Sequence, residues 1–131
     1  MIQARRLTLP SCQCIHFVDV TSEPPLEELG AAGVHVATID VAAVRGKQAF
    51  VEMLARELRF PSYFGGNWDA VEECIRDMSW LPAKGYVIWL TGSTSLWREQ
   101  TGIAGTFLEI ALGAAEAWAE RQISFHVVFH G

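Results

Sequence analysis

The chain has 131 residues, half of them hydrophobic, with fifteen acidic residues against ten basic ones and a net charge of −5. That length suits one domain, and that apolar content builds a packed core and excludes global disorder. The acidity argues against direct nucleic-acid binding. No apolar run is long enough to cross a bilayer, so no membrane association is expected.

The N-terminus carries Arg5 and Arg6, but Thr8 and Pro10-Ser11 interrupt the short apolar stretch that follows. We read no signal peptide, which implies a cytoplasmic protein. The cysteines are Cys12, Cys14 and Cys74, an odd number that disfavours a disulfide framework. Cys12-x-Cys14 offers two metal ligands, and no Cys/His pair at zinc-finger spacing completes them, so no metal or cofactor is expected. Cys74 reads as a buried thiol.

Residues 15–20 alternate and are β-branched, which predicts a strand, placed as an edge addition to a smaller core. Residues 21–29 read as a short capped helix with proline in its first turn, ended by Gly30 and Gly33. A strand follows at 34–40. Lys47 to Leu58 form a helix whose apolar positions Phe50, Val51, Leu54 and Leu58 share a face. Asn67 is placed as the N-cap of a helix from Trp68 to Met78, with Ala70, Val71, Cys74, Ile75 and Met78 inward. Gly85 to Leu90 is a continuous apolar run, as expected of a strand covered on both faces. Residues 91–95 read as a polar connection and 96–100 as a short helix. A long helix is predicted over 106–121, with Leu108, Ala111, Leu112 and Ala115 on its inner face, and a last strand over 123–129. Strands separated by helices predict an α/β fold with a small parallel sheet.

The chain's charge is uneven. Residues 1–59 hold seven acids and six bases, whereas residues 60–131 hold eight acids and four bases. Within the second half, an aromatic, glycine-rich turn from Phe60 to Gly66 runs into a helix bearing Asp69, Glu72 and Glu73. Asp69 and Glu73 are four apart, so they share a helix face and repel by a few tenths of a kcal/mol. Folding alone does not ask for that. Tyr63, Phe64 and Trp68 sit beside these charges, the company typical of a binding hot spot; Phe64 and Trp68 serve equally well as core anchors. Gly65-Gly66 either lets a partner approach the backbone or supplies a turn with positive φ.

Catalytic readings lack support. Gly65-Gly66 lies between two helices, without a Walker lysine or a G-x-G-x-x-G pattern. There is no G-x-S-x-G elbow. His126 and His130, four apart on a strand, are about 13 Å apart, too far to share a metal. His16, His35, His126 and His130 read as satisfied or partly exposed imidazoles. Asp69 and Glu73 project from one helix face with no evident pocket for acid–base work. No catalytic residue is assigned, and the chain is not expected to be an enzyme.

Pro61-Ser62-Tyr63-Phe64-Gly65-Gly66-Asn67-Trp68-Asp69-Ala70-Val71-Glu72-Glu73-Cys74 resembles the signature of the barstar family of intracellular ribonuclease inhibitors, P-x-Y-[YF]-G-x-N-[LW]-D-A-[LV]-x-[DE]-C. The order of later elements resembles that family too, and the similarity covers 34–131. The resemblance implies one barstar-like domain over 1–131, with 1–33 as an N-terminal extension carrying an extra strand and short helix. It implies a non-enzymatic inhibitor whose acidic helix and preceding loop plug the basic active-site cleft of a ribonuclease or related nuclease toxin, one to one. Position by position, Glu73 corresponds to the acid entering the cleft most deeply and Asp69 to the second acid. Tyr63 and Asn67 correspond to flanking contacts, Gly65 to the backbone approach, and Glu116 to a further acidic contact on the long helix. Trp68, Glu72 and Arg76 complete the expected partner-binding set. The chain departs from the family pattern at Gly66, where an acid is usual, and at Glu72, where a large aromatic is usual. Glu73 is one methylene longer than the usual Asp, and Arg76 adds a positive charge. These departures carry an alternative: an interaction or regulatory module on the same fold, or an immunity protein for a different toxin.

Overall fold

The most apolar segment of the chain forms the centre of the structure. In the computed structural model, which describes residues 2–10, 14–62 and 64–131, β3 spans Gly85–Thr91 and is buried from Gly85 to Leu90. Its neighbours are β4, Ser124–His130, and β2, Val34–Asp40. β1, Ile15–Val18, lies outside β4, giving the order β1-β4-β3-β2 with every pair parallel. The α/β reading therefore holds, and the N-terminal strand is the fourth member of the sheet, at its edge.

The connections explain the layers. β2 to β3 and β3 to β4 each step the same way along the sheet. Their helices cover one face: α3 (Lys47–Glu57), α4 (Trp68–Asp77), α5 (Ser93–Glu99) and α6 (Thr101–Glu120). β1 to β2 runs in the opposite direction across the sheet. With the hand of the crossover unchanged, its helix must lie on the other face. There α1 (Ala4–Leu7) and α2 (Leu26–Ala31) bury Leu7 and Leu29 against Val87, Trp89 and Val128. Inward and outward side chains alternate along each strand accordingly. No helix among the described residues is long and apolar enough to cross a membrane.

Several boundaries differ from the sequence reading. β1 stops at Val18, because Asp19 turns the chain: its side chain accepts from the Thr21 N–H and hydroxyl, and its carbonyl from Ser22 N–H. α2 starts only at Leu26, with Pro25 outside it as the cap, and Gly30 lies within it. α5 begins at Ser93 rather than 96. α6 begins at Thr101 rather than 106; Gly102 and Gly105 disguise its first turns, but Ala104 and Phe107 are fully buried there. Leu112, expected inside, is 46 % exposed, because the buried stripe runs through Phe107, Ala111, Ala114, Ala115 and Trp118 instead. The four-residue α1 was not anticipated.

The N-terminal segment is tied to the sheet by two histidines 110 residues apart. His16 Nε2 lies 2.9 Å from His126 Nδ1, and His126 Nε2 lies 2.8 Å from the Leu9 carbonyl oxygen. A carbonyl only accepts, so His126 carries its proton on Nε2, its Nδ1 accepts, and His16 Nε2–H donates to it. His126 must be neutral in this arrangement, whereas His16 can donate in either state and is held neutral by its burial. Burial, followed by the neighbouring His126 and Arg6, lowers the His16 pKa from 6.5 to about 4. Burial and Arg6 lower His126 as well, against the opposing effect of its bond to Leu9. The unfolded chain therefore binds more protons in the interval below 6.5, and the stability present above that pH is lost as pH falls towards 4. We expect the urea midpoint to drop across that window, and to drop less steeply in His16→Leu. Equal slopes for the two proteins would refute the assignment.

Candidate partner-binding site

The loop before α4 is shaped by aromatic packing. The Phe60 ring lies tilted against Phe64, centroids 4.9 Å apart, and meets Trp80 edge-on at 6.0 Å, while Trp80 Nε1 donates to Leu58 O at 3.1 Å. Phe64 N–H closes a turn onto Pro61 O. Gly66 adopts φ +74°, the conformation that a side chain would strain. Phe64 and Trp68 are half-buried against the core, Trp68 at 6.0 Å from Phe50. Both are anchors of the loop and helix start. Gly65 is exposed. Tyr63 and Cys12 lie outside the described residues.

α4 begins where the sequence places it. Asn67 has extended backbone geometry, and its Oδ1 accepts from Ala70 N–H at 2.8 Å. Asn67→Ala removes this cap and should cost about 1 kcal/mol, read as a lowered melting temperature. A change within error would show that the cap contributes nothing. Asp69, in the first turn, is favoured by the positive end of the helix dipole. Val71, Cys74 and Ile75 are buried, Met78 closes the helix in a left-handed conformation, and Ala70 is only half-buried. Burial, then the Glu73 and Asp77 carboxylates, push the Cys74 thiol above its ordinary pKa, which keeps it protonated and inert.

Asp69, Glu72 and Glu73 are all exposed. Glu72 Oε1 stands 3.9 Å from Arg76 Nε, a weak i,i+4 pair in the favourable orientation. Asp69 and Glu73 have no ion-pair partner among the described residues. The face therefore presents two uncompensated carboxylates and one that is partly neutralised. The Arg76 guanidinium lies over Gly113 of α6, where a Cβ would come within 2.8 Å of Nη2. Glu116 is exposed one turn further along α6. α4 packs on α6, and Glu116 stands three residues beyond the Gly113 that Arg76 covers.

Two residues not singled out in the sequence, Trp118 of α6 and its C-cap Arg121, hold the far end of α4. Trp118 Nε1 donates to Ile75 O at 2.9 Å, and Arg121 Nη2 donates to Arg76 O at 2.8 Å. With Met78 N–H on Cys74 O, three of the last carbonyls of α4 are satisfied. Arg121 also lies 4.3 Å above the Trp118 ring. The acidic helix is therefore fixed at both ends, by Asn67 and by α6. Among the described residues, no group of three His, Cys, Asp or Glu side chains gathers at metal-binding distance.

A protein-family model described as Barstar (barnase inhibitor) matches residues 34–130. The matched span contains β2 through β4 and the whole acidic face, and leaves out α1, β1 and α2. No curated protein matches the chain.

Proposed function

The chain belongs to the barstar family, and from that premise we propose that it inhibits a ribonuclease by inserting α4 and its preceding loop into the basic active-site cleft. The observation that carries this reading is the pair Asp69 and Glu73, exposed, on one helix face and without a compensating charge among the described residues. Carboxylates so placed occupy the positions of RNA phosphates and accept charge-assisted hydrogen bonds from Arg, Lys and His of the enzyme. Glu73 enters most deeply and Asp69 beside it. Tyr63, Gly65, Asn67 and Trp68 line the approach, and Glu116 reaches the rim from α6. We take residues 1–131 as one domain, acting in the cytoplasm, with one nuclease bound per inhibitory face and no direct contact with nucleic acid.

Two observations favour a second reading. The Glu72–Arg76 pair and the absence of a charge at Gly66 weaken the anionic field. That suits a partner less basic than a ribonuclease cleft, such as a different toxin or a regulatory target.

Titrating the protein into barnase and other basic ribonucleases tests the first reading. RNA cleavage should vanish near equal stoichiometry with at least one enzyme, and added salt should slow association. No inhibition of any enzyme in the panel would reject it in favour of the second.

A further inference from the structure

β1 leaves one side of the sheet open. Cys14 O accepts from Val127 N and Val18 O from Gly131 N, so the even positions of the strand face β4. By alternation, the N–H and C=O groups of Ile15 and Phe17 point away from the sheet. Nothing in Ile15–Val18 blunts that edge: it carries no Lys, Asp, Glu or Pro. The opposite edge strand, β2, exposes Thr38 and Asp40 instead. The exposed large hydrophobics among the described residues are Leu9, Phe17, Val20, Leu26 and Leu112, and all but the last belong to residues 1–33. Phe17, 65 % exposed, stacks on Phe129 at 5.2 Å and borders an apolar groove of about 470 Å³ with Val18 and Trp97.

We propose that this edge pairs with the same edge of a second copy of the chain, antiparallel, about a twofold axis at His16. The occupant follows from self-complementarity. Each copy offers two donors and two acceptors, on Ile15 and Phe17. In an antiparallel pair, opposed residues exchange both bonds, so Ile15 of one copy facing Phe17 of the other uses all four groups of each copy. The neighbouring register, Phe17 on Phe17, would set Ile15 against Asp19, whose carbonyl already accepts from Ser22 N–H. The chosen register forms four backbone hydrogen bonds and sets two apolar Ile15/Phe17 pairs beside the groove. It joins two four-stranded sheets into one of eight strands through an isologous contact. α4 packs on α3 and α6, so both acidic faces stay open in the pair.

Sedimentation of the full chain over a wide concentration range tests this. The expected result is a two-chain mass that falls to one chain on dilution. Phe17→Lys, at an exposed position, and Phe17→Pro, which removes the ring and an outward N–H but no hydrogen bond to β4, should each weaken association by roughly tenfold or more. Leu112→Lys should leave it unchanged. In the unmodified chain, Ile15 and Phe17 amides should exchange slowly with solvent at high concentration and rapidly on dilution, a readout that needs no variant. A one-chain mass at every concentration would overturn the proposal, as would a dimer insensitive to both Phe17 substitutions.

Discussion

Replacing Asp69 and Glu73 together by alanine is expected to weaken binding to the target ribonuclease by about 4 kcal/mol, roughly a thousandfold in Kd. Each carboxylate is exposed in the free protein, so its removal costs no internal hydrogen bond or ion pair among the described residues. The loss is therefore one of binding rather than folding. In the complex, each substitution strands a cation of the enzyme in a closed cleft, at about 2 kcal/mol per charge-assisted hydrogen bond. The two losses will not add strictly, because Asp69 and Glu73 are four apart and already repel in the free helix. Competition titration should give the large loss for the double variant with an unchanged melting temperature. Wild-type affinity in the double variant would reject the charge-mimicry mechanism outright.

Phe50→Ala should cost about 3–5 kcal/mol of stability. Phe50 is fully buried, with Phe107 edge-on at 5.3 Å and Trp68 at 6.0 Å. It therefore joins α3, α6 and the first residue of α4 at one point. A loss of that size is a large share of the 5–15 kcal/mol typical of a domain. Trp68 would lose its neighbour, so α4 should become mobile at its start and inhibition should weaken in parallel with stability. Phe50→Leu, which retains most of the volume, should lose much less of both. Urea unfolding measures the first effect and inhibition titration the second. A Phe50→Ala loss below about 1 kcal/mol would mean that the site collapses around the deletion.

The parts of this fold legible in the sequence are those set by local chemistry. The apolar run at Gly85–Leu90 reads as a doubly covered strand, and Asn67 declares its helix with its own side chain. Helix spacing puts Arg76 within reach of both Glu72 and Glu73, and the pair that forms is with Glu72. What stayed hidden depends on distant partners. Gly102 and Gly105 carry low helix propensity, and only burial of Ala104 and Phe107 holds those turns helical. The His16–His126 bond joins residues 110 apart, which no spacing along the chain announces. The grip of Trp118 and Arg121 on α4 involves carbonyls, which no side-chain pattern announces.

The position of β1 also bears on the order in which the chain acquires its form during synthesis. Its sheet neighbour among the described residues, β4, is translated more than a hundred residues later. By then β2, α3, α4, β3, α5 and α6 have all emerged and can fold on one another. The first strand made is thus the last to be seated. A ribosome-bound chain that has not reached Ser124 must hold Ile15–Val18 unpaired, an apolar segment within reach of chaperones, proteases and neighbouring nascent chains.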